Sequence, residues 1–293
     1  MNLRYFLELI ALAALWGASF LFMRVAVPEF GPIWLIAWRV FLASLVLVPI
    51  LIQQGLVSEL RKNAKPLMLL GIINSALPFL GFAYATTILT GGFTSILNAT
   101  VPLFAVLLVL LGINQEKLSW AQIGGFILGF SGVGILLGWH TSTTSPYFWL
   151  AVLASLMAAL LYAISANYIK SRLTGVSAIV IAVGSQLAAS LFFLPLLPFS
   201  VPASLPSLKA ILALLALAVF STALAYLMYF RLIRILGAAR AVTVTYMIPL
   251  FAMIWGALLL NEPITWDMIA GCIVILIGTA LANGVFKKWI KQS

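Results

Sequence analysis

The sequence predicts an all-α integral membrane protein of ten transmembrane helices, arranged as two inverted five-helix repeats with both termini in the cytoplasm. Three observations predict this fold: an extreme apolar composition, ten separate apolar windows, and a self-similarity between the halves of the chain. Of the 293 residues, 64% are hydrophobic and 8% are charged, and the mean hydropathy is +1.19. Soluble domains have roughly 45–50% apolar and about 25% charged residues. A bilayer is the solvent that accommodates so much apolar surface.

The ten apolar windows are each close to the length that a membrane-spanning helix needs, about 20 residues. Backbone N–H and C=O groups in hydrocarbon must be satisfied within the segment, so windows of this length predict helices. A β-barrel would instead need alternating segments of about ten residues, and the sequence shows none. The windows cover approximately residues 5–23, 33–52, 67–89, 93–113, 121–139, 147–169, 178–199, 211–233, 241–260 and 268–285.

The distribution of lysine and arginine predicts the orientation. With a cytoplasmic N-terminus, only Arg24 and Lys209 flank the windows on the outside, and Arg39 lies within the second window. Short cytoplasmic loops carry the excess of basic residues in membrane proteins, so both termini are expected inside. The net charge of +10 then reflects membrane orientation, and no nucleic-acid partner is expected. The remaining basic residues are all on the cytoplasmic side: Arg4, Arg61, Lys62, Lys65, Lys117, Lys170, Arg172, Arg231, Arg234, Arg240, Lys287, Lys288 and Lys291.

The chain resembles itself after a displacement of 146 or 147 residues. Repeats of this kind indicate duplicated structural units. Each half contains five windows, an odd number, so the second half must enter the membrane from the opposite face. The predicted units are therefore residues 1–143 and residues 144–293, inverted relative to each other. Aligned pairs include Ser19 with Ser165, Arg24 with Lys170, Glu116 with Glu262, Trp120 with Trp266, Gly125 with Gly271, Gly132 with Gly278, and the PLFA segments that begin at Pro102 and Pro249.

Short motifs in both halves carry a family resemblance. The first half contains LWGASF at 15–20, RVF at 39–41 and ATVPLF at 99–104, and the second contains IPLF at 248–251 and LNEP at 260–263. Together they resemble the drug/metabolite transporter (DMT) superfamily and, within it, the EamA-type exporters, over essentially the whole chain. The resemblance implies ten helices, a central cavity between the halves, and export of metabolites or amino-acid-like compounds. The NQE segment at 114–116 departs from the family's shorter connection.

Three prolines fall inside predicted spans and indicate a first group of substrate-binding residues. Proline lacks an N–H donor and excludes the bond to the carbonyl four residues earlier. Unpaired carbonyls at membrane depth are tolerated where protein or a water-filled cavity supplies partners. A kink repaired by neighbouring Ser or Thr is the alternative. Pro78, Pro102 and Pro249 affect the carbonyls of Asn74, Asn98 and Thr245, respectively.

Aromatic residues within the spans form the second group. Buried Tyr and Trp rings need partners for their polar tips, and they can hold planar or cationic ligands by stacking and cation–π contact. Packing between helices or in interfacial belts is the alternative explanation for these aromatic residues. Trp16 and Tyr162 coincide under the 146-residue displacement and rank highest, and Ser19 and Ser165 coincide in the same way. The other aromatic candidates are Tyr84, Tyr226, Tyr229 and Tyr246.

Two ionisable residues lie within spans, where such groups are costly and suggest function. Arg39 lies about 10 Å into the second span by helical rise. It would either attract an anionic substrate group or tie to carbonyls of a neighbouring helix. Glu8 lies a turn inside the first span, where it would either snorkel to the interface or couple transport to protons. These two residues are at opposite depths and are not expected to pair.

Glycines predict where helices pack closely. Gly125 and Gly129 form a Gly-x-x-x-Gly motif in the fifth span, and Gly278 and Ala282 have the same separation in the tenth. Small residues at this spacing let helix backbones approach each other. The fifth and tenth spans are therefore expected to support the structure or to form a dimer contact, so a homodimer is left open.

The expected function is a secondary transporter of the cell inner membrane. It would export a small metabolite, such as an amino acid or amine, by alternating access around a mid-membrane site. An uptake carrier or exchanger is the alternative, followed by a channel. A phosphate-binding loop is absent because no lysine follows a glycine, which disfavours an ATP-driven pump. Six acidic residues, the single His140 and the single Cys272 leave too little material for an intramembrane enzyme, so no metal or cofactor is expected.

Overall fold

The computed structural model describes residues 3–113, 118–138 and 145–284, which form helices joined by short loops, without a strand among them. Seven helical segments are long and apolar enough to cross a membrane, and two shorter apolar helices follow them. The α-helices are α1 (Leu3–Gln53), α2 (Val57–Lys62), α3 (Ala64–Gly71), α4 (Leu77–Ala85), α5 (Gly91–Asn98), α6 (Val101–Leu110), α7 (Trp120–Gly138), α8 (Phe148–Arg172), α9 (Ala178–Phe193), α10 (Leu208–Ala218), α11 (Ala225–Leu236), α12 (Ala238–Ala241), α13 (Ile248–Leu260) and α14 (Trp266–Ala282).

Helix α1 is too long for a single crossing and consists of two helices that meet at Gly31. Its 51 residues would extend about 75 Å at 1.5 Å per residue, more than twice the ~30 Å hydrocarbon core. Gly31 has φ 70° and ψ 158°, a conformation that glycine adopts without a steric penalty. The first two apolar windows of the sequence lie on either side of this break.

Two spans contain π-helical turns at related positions. One covers Ile72–Ala76, between α3 and α4, and the other covers Val219–Leu224, between α10 and α11. Their first residues are 147 positions apart, which is the displacement found in the sequence. In the second turn, Thr222 donates its hydroxyl to the Leu217 carbonyl at 2.8 Å, five residues earlier, and so satisfies a backbone acceptor of the widened turn.

The three prolines lie directly after the points where their spans depart from a regular α-helix, and each is in the first turn of the helix that follows. Pro78, Pro102 and Pro249 lie in the first two positions of α4, α6 and α13. Proline is tolerated there because the N–H it lacks has no partner within the helix anyway. The fourth and ninth windows are accordingly broken into two pieces, at residues 99–100 and across the 3₁₀ turn Val242–Tyr246.

The close packing predicted for the fifth and tenth spans is confirmed for α7 and α14. A Cβ atom added at Gly125 would lie 2.6 Å from the Gly278 carbonyl oxygen, and one added at Gly278 would overlap the Gly129 backbone. Gly132 and Gly271 make a matching approach further along the same pair. These two helices pack backbone to backbone, as small residues permit.

Glutamates from the first half bind the starts of two helices in the second half. Glu59 accepts hydrogen bonds from the Ser177 backbone N–H at 2.6 Å and its hydroxyl at 2.7 Å, at the start of α9. Glu29 accepts the same pair from Ser207, at 2.5 and 2.8 Å, at the start of α10. Carboxylates are favourable there because the first N–H groups of a helix lack partners and carry partial positive charge.

We expect Gly278→Ala to destabilise the protein by about 1–3 kcal/mol, because the added methyl group must force α7 and α14 apart. Gly134→Ala is the matched control, since a Cβ at Gly134 meets nothing within 4 Å. Thermal unfolding of the two purified variants measures the difference. Equal melting temperatures would contradict the assigned packing.

The contact with Ser177 should make stability depend on the charge of Glu59. The Ser177 N–H, and then its hydroxyl, lower the pKa of the Glu59 carboxyl below its ordinary value. A depressed carboxyl pKa stabilises the fold fully above the unfolded-state pKa, about 4.3, and this contribution is lost as the pH falls through the lower folded-state pKa. The melting-temperature gap between wild type and Glu59→Gln should be constant above about pH 5.5 and narrow below about pH 4.5. A gap that is independent of pH would contradict the ionic contact.

Candidate functional site

A group of five polar residues, here called the polar seam, lies between helices of the two halves; four of them are buried and one is half-buried. Arg39 of α1 donates its Nε–H to the Thr222 hydroxyl at 2.9 Å, and Gln186 of α9 donates its amide to the Ser75 hydroxyl at 3.1 Å. Ser75 and Thr222 both lie in the π-helical turns. The fifth member, Tyr226, follows Thr222 by about one helical turn. Arg39 is 4% exposed and Gln186 is fully buried.

The two hydrogen bonds of the polar seam correspond to each other under the 147-residue displacement. That displacement places Arg39 on Gln186 and Ser75 on Thr222. Each half therefore sends one long polar side chain to the π-helical turn of the other half. Such turns are frequent at functional sites, because they widen the helix and leave backbone groups without their usual partners.

Tyr226 lies near both hydrogen bonds of the polar seam. Its phenol group hydrogen-bonds with Ser75 and Gln186, and it is close enough to Arg39 for a Coulombic interaction. Tyr162 of α8 is likewise within Coulombic range of both Arg39 and Tyr226. The structure thus places two half-buried tyrosines of the predicted set near the buried predicted arginine.

The Arg39 guanidinium has an unusual set of neighbours for a buried cation. Its central carbon lies 3.7 Å from the centroid of the Phe79 ring, within cation–π range. Its Nη1 faces the Met23 sulfur at 3.9 Å. Among the residues that the structure describes, no carboxylate contacts it.

Other predicted residues lie beside the polar seam. Ser165 donates its hydroxyl to the Asn74 side-chain oxygen at 2.8 Å, and this links α8 to the first π-helical turn. Trp16 lies 5.0 Å from Tyr229 by ring centroids, and Tyr162 lies 6.0 Å from Phe82. Trp16 and Tyr162 pack against the same large apolar cluster.

The remaining predicted residues are not brought together with the polar seam. Ser19 is buried in α1, and the side-chain oxygen of Asn98, at the end of α5, is buried without a hydrogen-bond partner among the described residues. The other four are Tyr84, which packs in a separate apolar cluster; Thr245, whose hydroxyl bonds the Val242 carbonyl; Tyr246, whose hydroxyl accepts from Asn283; and Glu8, which pairs with Arg4 and Arg231.

Sequence reasoning missed Ser75, Phe79, Gln186 and Thr222. A signal for Gln186 was available, since the 147-residue displacement that aligns the PLFA segments also places the predicted Arg39 on it. Within the described ranges, no three His, Cys, Asp or Glu residues are close enough to hold a metal ion. The site therefore offers hydrogen bonds, one cation and aromatic faces to a ligand.

A second polar contact, here called the Arg24 latch, ties four chain segments together at one end of the helices. Arg24 pairs with Glu262 at 3.1 Å and donates to the Thr86 carbonyl at 2.7 Å. Glu262 also accepts the Gly91 backbone N–H at 3.0 Å. These residues belong to α1, the end of α4, the start of α5 and the loop after α13. In the repeat alignment, Glu262 corresponds to Glu116, which lies outside the described residues.

This architecture is that of a multi-pass membrane protein with polar groups buried between its helices. Residues 4–138 and, separately, residues 149–284 match the EamA-like transporter family. These matches cover most of the chain, which therefore belongs to the EamA-like transporter family, within the drug/metabolite transporter superfamily.

Relatives over most of the chain are named as transporters. The uncharacterized transporter YoaV of Bacillus subtilis is 23% identical over 96% of this chain and 97% of its own length. The uncharacterized inner membrane transporter YedA of Escherichia coli K12 is 27% identical, over 88% of this chain and 83% of its own. A probable terminal-alkyne amino-acid exporter of Streptantibioticus cattleyicolor is 28% identical, over 64% and 61%. A solved crystal structure shares the fold, with a TM-score of 0.66, 20% identity and 99% of both chains covered.

We expect Glu262→Gln to loosen the Arg24 latch and to increase access to the interior between the helices from that end. In a Cys272→Ser background, Ser19→Cys places a thiol about 7.5 Å along the helix from Arg24. Its reaction with a membrane-impermeant thiol reagent should become several-fold faster when Glu262→Gln is added. Glu8→Gln, which breaks the ion pairs to Arg4 and Arg231, is the matched control. Equal labelling rates in the two variants would rule out a latch at this position.

Proposed function

We propose that this protein is a secondary transporter that exports a small metabolite, such as an amino acid or amine, by alternating access. The observation that carries the proposal is the reciprocal pair of contacts in the polar seam, in which each half binds the π-helical turn of the other. Two inverted halves of five helices, residues 1–143 and 144–293, move against each other around this region. Family matches to residues 4–138 and 149–284 support the same division.

The proposed topology has ten spans with both termini in the cytoplasm of a bacterial-type inner membrane. The first half contributes the two parts of α1, the α3–α4 and α5–α6 segments, and α7. The second half contributes α8, α9, the α10–α11 and α12–α13 segments, and α14. The excess of Lys and Arg on one side supports this orientation, and the similarity to YedA, which is named an inner membrane transporter, supports the inner membrane.

The contacts suggest how the halves alternate. The polar seam lies between the halves, so a rocking motion can leave it in place while the helix ends separate on one face and meet on the other. The Arg24 latch holds one set of helix ends together. Breaking it exposes the site on that face, which we assign to the outside because Arg24 flanks the first span there.

The substrate site in this proposal is the region around the polar seam. Trp16, Tyr162 and Tyr226 supply aromatic faces, and Asn74 and Ser165 supply hydrogen-bonding groups close to a helix interruption. Ser19, Tyr84, Asn98, Thr245 and Tyr246 are not brought together with the polar seam and would contribute only after a rearrangement. Export is favoured over uptake because one relative is named a probable terminal-alkyne amino-acid exporter.

We expect purified protein in liposomes to show saturable counterflow of at least one amino acid or amine, with loss of flux in Trp16→Ala and in Tyr162→Ala. Each aromatic contact contributes roughly 0.5–2 kcal/mol, so about a 2- to 30-fold reduction is expected. Trp149→Ala is the matched control, since Trp149 is 57% exposed on α8. Metabolite profiling of medium from cells with and without the protein would identify the cargo.

Two outcomes would count against different parts of the proposal. Flux that neither saturates nor exchanges with unlabelled compound would favour a channel over a carrier. Unchanged counterflow in both the Trp16 and Tyr162 variants would remove these residues from the site and leave the carrier function standing.

A further inference from the structure

We infer that Arg39 binds an acid group of the transported molecule, so that the cargo is an organic anion or a zwitterion such as an amino acid, and not a simple amine. This inference rests on the proposed carrier function and narrows its substrate class. It is argued from the charges, hydrogen bonds and symmetry of the polar seam.

The chain has few acidic groups, and those whose contacts are known are engaged elsewhere. Of the six acidic residues, Glu8 and Glu262 form ion pairs with other arginines. Glu29 and Glu59 bind the starts of α10 and α9. Within residues 3–113, 118–138 and 145–284, none of these carboxylates reaches Arg39, so its charge has no anionic partner there.

The Arg39 guanidinium also has N–H donors that do not bond a strong acceptor. Arginine carries five N–H donors in a planar fork. One is used by Thr222 at 2.9 Å, and another faces the Met23 thioether, a weak acceptor, at 3.9 Å. The Phe79 ring stabilises the charge but accepts none of these protons in the plane of the fork. A carboxylate that approaches the remaining edge would form two parallel, charge-assisted bonds.

A purely structural role does not explain the positive charge. The corresponding contact in the other half is made by Gln186, a neutral amide that donates to Ser75 at 3.1 Å. The bond between a span and the opposite π-helical turn is therefore available without a charged group. A cation at membrane depth costs several kcal/mol unless it is compensated. The charge at only one of two equivalent positions points to an anion that is not part of the described protein.

Gln186, like Arg39 a neighbour of Tyr226, offers a complementary group. Its side-chain oxygen is fully buried and has no hydrogen-bond partner among the described residues. A buried acceptor of this kind is costly to leave unpaired. An ammonium or amide N–H of a substrate would satisfy it while the acid group of the same molecule binds Arg39. The uncompensated charge of Arg39 and the unpaired oxygen of Gln186 thus fit the acid group and the ammonium group of an amino-acid-like compound.

The test compares acids with their amides in proteoliposomes that contain the full-length protein. The vesicles are offered a mixture of proteinogenic L-amino acids and their carboxamides, which have nearly the same shape but lack the anionic group. Initial uptake is quantified by mass spectrometry. Wild type should take up the preferred amino acid at least about tenfold faster than its carboxamide, and Arg39→Gln should reduce this preference to about twofold or less.

Two further variants separate recognition from structure. Thr222→Val keeps the charge and removes the hydrogen bond between the halves, so it should slow both compounds but keep the preference for the acid. Arg39→Lys keeps the positive charge but loses the planar fork of N–H donors. It should therefore still prefer the amino acid over its carboxamide, but by a smaller factor than wild type. All variants are first checked for monodisperse elution and for a melting temperature close to that of wild type.

The inference is overturned if wild type transports the carboxamides as fast as the acids, a result that leaves the carrier function intact. It is also overturned if Arg39→Gln and Thr222→Val slow both compounds equally with the preference unchanged, which would make Arg39 a structural tie. If no compound enters faster than it enters protein-free vesicles, the proposed carrier function fails for this class of substrates and the inference fails with it.

Discussion

The rest of this structure depends on one constraint: a backbone polar group in hydrocarbon must find its partner within the protein. Regular helices meet this requirement on their own, so they can face lipid anywhere. Interrupted helices cannot. In the second of the two π-helical turns, Val219–Leu224, the Leu217 carbonyl finds its partner in the Thr222 hydroxyl, which also accepts from Arg39 of the other half. The polar seam therefore includes a side chain that the interrupted backbone itself requires.

The chain has few charged residues, and most of the ion pairs and charged hydrogen bonds described above lie at helix ends. Glu29 and Glu59 bind helix starts, where unpaired N–H groups attract a carboxylate. The Arg24 latch joins chain segments at the ends of α4 and α13, where its two charges are only partly buried. Arg39 differs, because it is buried within a span next to aromatic and neutral polar groups. A cation in such a place raises the free energy of the fold, and this cost is the physical reason to look for a ligand that compensates the charge.

Symmetry and its violation both carry information about function. Backbone packing of α7 on α14 follows the repeat, with Gly125 against Gly278 and Gly132 against Gly271. The polar seam follows the repeat in geometry but not in charge, since arginine in one half corresponds to glutamine in the other. A symmetric scaffold suits a motion that exchanges two states, whereas the recognition of an asymmetric small molecule needs different groups on its two sides.

The sequence alone determined the membrane class, the helical secondary structure, the family and the close packing at the glycines of α7 and α14, because apolar length, short motifs and glycine spacing are local properties; that these two helices pack on each other came from the structure. It also identified Arg39, Trp16 and Tyr162, since ionisable and aromatic residues are conspicuous in apolar windows. Only the tertiary structure brought Ser75, Gln186 and Thr222 into contact with one another or with Arg39, and it placed Pro78, Pro102 and Pro249 at helix starts. Small polar residues give no local signal within a membrane helix, and their role depends on which distant residue packs against them.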